Sequence, residues 1–290
     1  MRQLLALDVG GTQLKYGIVQ EDGLVLEAHV ADTQGKDGAE AVIARMIAAL
    51  ASLRPAQQPI GIAVSSLGLI APQGGTILGA AEAIPGYAGI ALGERLASHF
   101  GLPVTVENDV NCVALAEGWV GAAAGVRNYL AVAIGTGIGG GIVINGQLYR
   151  GHKAAAGEWG YMHIDNRCWE DHASMRGLVN LVSVRTGQQL DGRQIFAARD
   201  AGDVMIAALV SEWLDLLAAG IANLIYVLNP ERVVIGGGIA NRPQFQSELD
   251  AALLPRLQPD FRTMSRVVLA NAGNHAGMIG AVRNWLQSCA

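Results

Sequence analysis

The chain has 290 residues, and its composition excludes several classes of protein. Its 25 acidic residues outnumber its 20 basic ones, and the net charge of −5 argues against a nucleic-acid partner held mainly through phosphate contacts. Three scattered cysteines (Cys112, Cys168 and Cys289) provide no disulfide framework, so we expect a reducing, cytoplasmic location. We also expect no signal peptide, because an acid stands at position 8 of the first apolar run.

The first predicted element is a buried strand over Leu4–Leu7, which leads through Gly10–Gly11 to a returning strand over Tyr16–Val19. Glycines leave the backbone N–H groups of such a turn uncovered. Asp8 and Thr12 stand at the mouth of the turn, where a buried carboxylate needs a partner such as Mg²⁺ beneath a phosphate. A plain β-hairpin with a charged tip is the alternative.

The pattern of this hairpin is repeated, inexactly, later in the chain. Residues 5–23 and 130–148 each contain an apolar strand, a glycine-rich turn, a strand ending in Gly-Ile-Val, and then Asp-Gly or Asn-Gly. The second copy has one residue fewer between the turn and the Gly-Ile-Val. Two copies of one phosphate-binding design suggest two related domains that face each other.

Strands and helices alternate through the rest of the chain, which indicates an α/β fold with part of the sheet parallel. In chain order we predict a helix over 39–53, a strand over 60–68, a helix over 91–100, a strand over 102–106, a helix over 112–120, an irregular polar segment over 151–174, helices over 174–186 and 207–228, a strand and glycine turn over 232–240, and a helix over 276–287.

The helix over 207–228 is apolar enough to suggest a membrane span. Glu212, Asp215 and Asn223 interrupt it, which favours a helix buried in a soluble core, and we expect no membrane partner. It ends before Pro230, where proline cannot continue a helix.

Three glycine-rich turns, at Gly10–Gly11, Gly135–Gly141 and Gly236–Gly238, each follow an apolar strand. Bare backbone N–H groups in such turns favour phosphate binding, and Thr12 and Thr136 add hydroxyl donors. The chain has no G-x-x-x-x-G-K-[ST], which excludes a P-loop. The sequence GTGIGG lies in a hairpin rather than before a helix, which argues against a dinucleotide site.

Polar side chains cluster where the strand over 102–106 ends, at Glu107, Asn108, Asp109 and Asn111. An acid beside an amide suits the vicinal hydroxyls of a sugar, and a carboxylate near a hydroxyl is the base that a kinase uses. The alternative is an Asn-Asp turn that caps the following helix.

A third group of polar residues begins at Glu158. Glu158 is either a buried acid with hydrogen-bond partners in the protein or an acid that faces a ligand. Glu170 and Asp171 follow in the sequence and can belong to the same site. Nearby, three residues of zinc-binding type occur: His163, Cys168 and His172. Without a C-x-x-C pair they are a poor zinc signal.

The sequences LDVGGTQLKYGIV, VENDVN, IGTGIGGGIVING, AGEWGYM and VVIGGGIA resemble, in order and spacing, the ROK family of bacterial sugar kinases and sugar-responsive repressors. The resemblance implies a two-domain α/β fold of the actin/hexokinase/Hsp70-like (ribonuclease H-like) type with an interdomain cleft. It divides the chain into residues 1–112, completed by the helix 276–290, and residues 113–275. It also implies a homodimer.

The resemblance assigns roles by position. It implies that ATP and Mg²⁺ are bound by Asp8, Gly10, Gly11, Thr12, Lys15, Gly135, Thr136, Gly137, Gly236, Gly237 and Gly238, with Asp8 near the Mg²⁺. It implies that the sugar is bound by Gly68, Asn108, Asp109, Glu158, Tyr161 and Glu170, with Asp109 as catalytic base. Asp171 remains an alternative to Glu170.

The chain departs from the family at the zinc module. Tyr161 stands where the family has a zinc-binding histidine, and residues 166–175 keep a single cysteine, so we expect no zinc site. This zinc-less pattern most resembles bacterial β-glucoside kinases, which phosphorylate the 6-hydroxyl of the non-reducing glucose of substrates such as cellobiose. The resemblance leaves glucose and N-acetylmannosamine as alternative substrates. A DNA-binding regulator is disfavoured, because only seven residues precede Asp8.

Overall fold

The computed structural model describes residues 1–289 and contains helices and strands in alternation. The strands are β1 (Gln3–Val9), β2 (Gln13–Gln20), β3 (Val25–Asp32), β4 (Ile62–Ser66), β5 (Leu69–Ile70), β6 (Ile77–Gly79), β7 (Val104–Asn108), β8 (Tyr129–Ile134), β9 (Ile138–Ile144), β10 (Gln147–Leu148), β11 (His163–Ile164), β12 (Arg167–Cys168), β13 (Arg232–Gly236) and β14 (Arg266–Leu269). The α-helices are α1 (Ala39–Ser52), α2 (Leu92–Phe100), α3 (Asp109–Trp119), α4 (Trp169–Ala173), α5 (Met175–Thr186), α6 (Gly192–Asp200), α7 (Val204–Leu228), α8 (Phe245–Leu253), α9 (Phe261–Met264) and α10 (Ala276–Cys289).

The chain divides into two compact units. The first comprises residues 1–125, 141–156 and the chain from Asn271 onward, and the second comprises residues 126–140 and 157–270. This division differs from the predicted boundary after residue 112, which would cut through α3. It also assigns residues 141–156 to the first unit, so one boundary between the units lies within β9.

The first unit contains a five-stranded sheet in the order β3-β2-β1-β4-β7. The strand β2 pairs antiparallel with β1, whereas β1, β4 and β7 are parallel. Both faces of β1 are buried, which explains its continuous apolar run. Leu5, Leu7 and Val9 belong to the same core cluster as the α1 side chains, and Leu4 and Ala6 pack in a second cluster with the α10 side chains.

The register of this sheet aligns polar residues at the carboxyl ends of its parallel strands. Asp8 of β1 is opposite Ser65 of β4, and Ser65 is opposite Glu107 of β7. One residue further on, Ser66 is opposite Asn108. Ligands of parallel sheets bind at this edge, so the register marks it as the candidate site of the first unit.

The second five-stranded sheet has the order β10-β9-β8-β13-β14, in which β8, β13 and β14 are parallel. In the second unit, α7 is long and apolar enough to cross a bilayer, and half of its most apolar stretch is buried in the protein. Trp213, Leu217 and Ile221 of this helix are fully buried. The burial supports the interpretation of α7 as a core helix.

Several element boundaries differ from the predictions. The helix predicted over 112–120 begins at Asp109, because the Asn108 side chain caps it. The helix predicted from 207 begins at Val204, since the Asp203 carboxylate accepts from the Ile206 N–H at 3.0 Å. Four of the elements that the sequence reasoning did not predict are β3, α6, α8 and β14.

Candidate active site

The first glycine turn connects β1 to β2 through residues 10–12. The Gly10 N–H donates to the Gln13 carbonyl at 2.9 Å, and the Thr33 side chain donates to the Gly10 carbonyl at 2.7 Å. Neither Gly10 nor Gly11 has a left-handed backbone, so space rather than φ favours glycine here. A Cβ on Gly11 would lie 3.0 Å from the Ala83 Cβ. The turn is therefore tightly packed.

Asp8 lies just before this turn, with 17% of its side chain exposed. The Ser65 hydroxyl donates to one carboxylate oxygen at 2.7 Å, and the Lys15 ammonium lies 3.6 Å from the other. A Cβ at Gly277, in the first turn of α10, would overlap the Asp8 carboxyl. A partly exposed carboxylate beside a hydroxyl is a hard oxygen donor set, which fits Mg²⁺ carried by a nucleotide. Lys15 is close enough to balance the Asp8 charge.

At the end of β7, the Asn108 side chain is committed largely to the protein itself. Its oxygen accepts from the N–H groups of Val110 and Asn111 at 3.0 and 3.1 Å, and its amide donates to the Gly68 carbonyl at 3.0 Å. The capping alternative is therefore present, and one amide N–H remains for a ligand. Gly68 has a φ of +95°, which glycine adopts without strain.

Asp109 is the first residue of α3 and is partly exposed. One of its carboxylate oxygens accepts from the Val110 N–H at 2.9 Å. A carboxylate in the first turn of a helix is stabilised in its charged form. Asp109 is thus a partly exposed carboxylate at the same sheet edge as Asp8.

In the second unit, the glycine turn between β8 and β9 spans residues 135–137. The Gly135 N–H donates to the Gly137 carbonyl at 3.0 Å, and the Gly135 carbonyl accepts from the Met175 N–H at 2.9 Å. Glu170 supports the turn, because its Oε2 accepts from the Ile138 N–H at 3.2 Å. A Cβ on Gly137 would lie 2.5 Å from that oxygen. Glu170 therefore braces the turn. Asp171 is more exposed, and both acids lie 3.5 Å from Arg176.

Glu158 precedes a short 3₁₀ helix, Trp159–Tyr161. Burial, and secondarily the negative charge of Glu170, raises the pKa of the Glu158 carboxyl. Tyr161, two residues before His163, is 58% exposed. A carboxyl with a raised pKa beside a second acid is typical of a functional site.

The zinc-type residues do not form a metal site in the structure. Across residues 1–289, no cluster of three His, Cys, Asp or Glu side chains is suitable for holding a metal. His163 and Cys168 are paired across the β11–β12 hairpin, and His172 is buried. Burial lowers the pKa of the His172 imidazole, which favours its neutral form.

The third glycine turn follows β13. Gly237 has a φ of +96°, and a Cβ there would overlap the Ile134 carbonyl, so only glycine fits without a backbone shift. Gly238 borders a cavity of about 830 Å³ in the second unit. The cavity is also lined by Met175, Asp191, Gly192, Arg193, Phe196, Ala197, Asp200, Ile239, Asn241 and Arg242.

Sequence reasoning found Gly238 but missed the other residues of this cavity, which come mainly from α6 and the segment after β13. Arg242 makes two hydrogen bonds to Asp200, at 2.8 and 2.9 Å, and its guanidinium lies 4.9 Å from the centre of the Phe196 ring. The volume is sufficient for a nucleoside. The sequence signal that could have located α6 is the Asp191–Gln194 capping box at its start.

The ROK family model matches residues 4–288. The chain is a member of the ROK family. Among its ROK relatives is a β-glucoside kinase of Klebsiella pneumoniae, which is 37% identical over 98% of this chain and 96% of the relative.

Two solved structures of ROK proteins resemble the chain closely. One, from Streptococcus pneumoniae, contains sucrose; it has a TM-score of 0.87 and 31% identity and covers 98% of both chains. The other is a glucokinase of Streptomyces griseus in complex with glucose and AMPPNP, with a TM-score of 0.82 and 26% identity over 97% of this chain and 98% of that one. The predicted two-domain α/β fold is confirmed.

Proposed function

We propose that this chain, a sugar kinase of the ROK family, transfers the γ-phosphoryl group of ATP to the 6-hydroxyl of the non-reducing glucose of a β-glucoside such as cellobiose. The observation that carries the proposal is the pair of acids at one sheet edge. Asp8 is the penultimate residue of β1 and Asp109 follows β7, with β4 between these two strands. Phosphoryl transfer needs one acid for the metal-bound phosphate and one for the hydroxyl.

In this proposal Asp109 accepts the proton of the sugar hydroxyl as the oxygen attacks the γ-phosphorus. The bond from that phosphorus to the bridging oxygen breaks, and ADP leaves with that oxygen. Asn108 and Glu158 hold the neighbouring hydroxyls through an amide N–H and a carboxylate. Asp8 would hold Mg²⁺, which would neutralise charge on the phosphate oxygens.

The glycine turns hold the phosphates of ATP in this proposal. Gly10–Thr12 and Gly135–Gly137 present backbone N–H groups and threonine hydroxyls, which bind phosphate oxygens without bulky side chains. The cavity beside Gly238 receives the adenosine, and Phe196 and Ile239 provide apolar surface for the base. Lys15 limits repulsion between Asp8 and the incoming triphosphate.

Two observations support a β-glucoside over a free monosaccharide. By its resemblance to the family, Tyr161 takes the place of a zinc-binding histidine, and its side chain is 58% exposed, which leaves room for an aglycone or a second sugar ring. A relative at 31% identity was solved with a disaccharide, sucrose, and a relative at 37% identity is a β-glucoside kinase. The glucokinase of Streptomyces griseus keeps glucose as the second candidate substrate.

The test is an ADP-release assay across cellobiose, gentiobiose, salicin, glucose and N-acetylmannosamine. We expect the highest kcat/KM for the β-glucosides. Equal or higher values for glucose or N-acetylmannosamine would contradict the β-glucoside assignment, and no turnover of any of these sugars would contradict the kinase assignment.

The role of Asp109 is tested separately with Asp109→Asn. We expect kcat to fall by roughly 10²–10⁴-fold, the usual contribution of a general base, with sugar binding retained in calorimetry. The matched control is Asp260→Asn, which neutralises an exposed carboxylate before α9 and should leave kcat unchanged. A near-normal kcat in Asp109→Asn would show that another group takes the proton.

A further inference from the structure

A buried acid lies two residues before the proposed base. Glu107 is 3% exposed at the end of β7. Its Oε1 accepts from the main-chain N–H of Asn108 and from the side-chain amide of Asn111, both at 2.9 Å. A buried carboxylate is costly unless it is paired, so its partner is an essential part of this turn.

The cationic partner of Glu107 is Arg150. Its Nε donates to Oε2 of Glu107 at 2.6 Å, and its Nη2 donates to Oδ1 of Asn284 at 2.8 Å. Asn284 is itself buried in α10. The guanidinium is therefore fixed by two buried side chains, one on the catalytic strand end and one on the helix that packs on β1.

The backbone of Arg150 makes a third connection. Its carbonyl accepts from the Ala156 N–H at 3.1 Å, which closes a loop ending two residues before Glu158. The same residue thus ties down the segment that leads to one proposed sugar-binding acid and the strand end that leads to Asp109. Nothing in the catalytic roles assigned above uses Arg150.

We propose that Arg150 is a positioning residue for phosphoryl transfer: through Glu107 it fixes the turn from Asn108 to Asn111, and so sets the orientation of Asp109. The role rests on the proposed function, because it acts through the proposed base. Arg150 touches neither the sugar nor the nucleotide in this role. Without the Arg150 cation, the Glu107 carboxylate moves to form hydrogen bonds with other donors, and this movement shifts the turn from Asn108 to Asn111.

The main test is the kinetics of Arg150→Met with a β-glucoside substrate. We expect kcat to fall by about 10–100-fold, since a displacement of about 1 Å in a catalytic group can cost 10²-fold. The KM for ATP should change less than twofold, because the phosphate-binding turns are intact. Arg150→Lys keeps the charge but not the fork of donors, so its kcat should lie between those of the wild type and Arg150→Met. Added guanidinium should partly restore the kcat of Arg150→Ala.

A further variant separates the charge from the packing. In Glu107→Gln/Arg150→Met, no unpaired buried carboxylate remains, so we expect kcat to exceed that of Arg150→Met alone. This non-additive result is expected for residues that act as one unit.

The control for lost stability is Val282→Ala, a cavity variant in α10 whose side chain is fully buried in the apolar cluster around Leu4 and Ala6 and makes no hydrogen bond. At equal loss of stability, measured by urea unfolding, Val282→Ala should retain the wild-type kcat. A kcat of Arg150→Met within twofold of wild type, or an equal fall in Val282→Ala, would overturn the positioning role while the kinase assignment stands. A wild-type chain without sugar phosphorylation would overturn both.

Discussion

The two glycine hairpins share a backbone plan but are supported in different ways. In the first hairpin, β1 itself carries the acid, Asp8, and the turn is packed against Ala83. In the second hairpin, Ala133 stands at the corresponding position, and the acid comes from Glu170, on the short helix α4. Both turns span three residues, so the residue missing from the second copy lies outside the turn.

The difference teaches that a repeated turn sequence need not mean repeated chemistry. A carboxylate that accepts no hydrogen bond from its own turn, as in Asp8, remains available for a metal-bound phosphate. A carboxylate that accepts a backbone N–H and fills the space beside a glycine, as in Glu170, is a structural brace. Three substitutions can test this contrast.

The largest effect is expected for Asp8→Asn. The amide keeps the shape and the Ser65 hydrogen bond but removes the charge that Mg²⁺ needs. We expect kcat/KM for ATP to fall by about 10²–10³-fold, the scale of losing one stabilising group in a transition state. Steady-state kinetics over a range of Mg²⁺ concentrations measure it. A loss that excess Mg²⁺ does not change, with an altered melting temperature, would instead make Asp8 a structural acid.

An intermediate effect is expected for Gly137→Ala. The added Cβ would lie 2.5 Å from the Glu170 carboxylate, so the turn or the brace must move. We expect the KM for ATP to rise about tenfold, equivalent to about 1.4 kcal/mol of binding. Gly79→Ala is the control, because a Cβ there meets nothing within 4 Å, the backbone is not left-handed and Gly79 lies outside the proposed ATP site. Equal effects in both variants would contradict the bracing role of Glu170.

The smallest effect is expected for Glu170→Gln, and it is measured as the pH dependence of the KM for sugar. The pKa of Glu158 is raised by burial and, to a lesser degree, by Glu170. As pH falls through this raised pKa, Glu158 loses the charge that accepts a sugar hydroxyl, and the KM for sugar should rise. Glu170→Gln removes the second cause, so the rise should occur at lower pH. An unshifted KM profile would show that Glu158 does not bind sugar through its charged form.

The apolar strands and long helices could be predicted because their signals are local. The run from Leu4 to Leu7 is buried on both faces, and α7 ends before Pro230 as proline requires. The start of α3 was misplaced because Asn108 matched both a sugar ligand and a helix cap, and its side chain in fact caps the helix.

The cavity beside Gly238 could not be predicted, because it is formed by residues far apart in sequence. Phe196 and Arg242 lie 46 positions apart by number and meet only through tertiary packing. The bracing role of Glu170 likewise depends on the Ile138 backbone, 32 residues away. Composition indicates neither contact, whereas the Asp8 turn and the acid Asp109 were visible as short motifs.

The packing of α10 has a consequence for biosynthesis. Met278, Val282 and Trp285 of α10 complete the cluster around Leu4 and Ala6 of β1, so β1 is synthesised long before the helix that covers one of its faces. Until then one apolar face of the emerging sheet is open to solvent. The nascent polypeptide is therefore exposed to aggregation throughout translation, and a holding chaperone would have its greatest value during that interval.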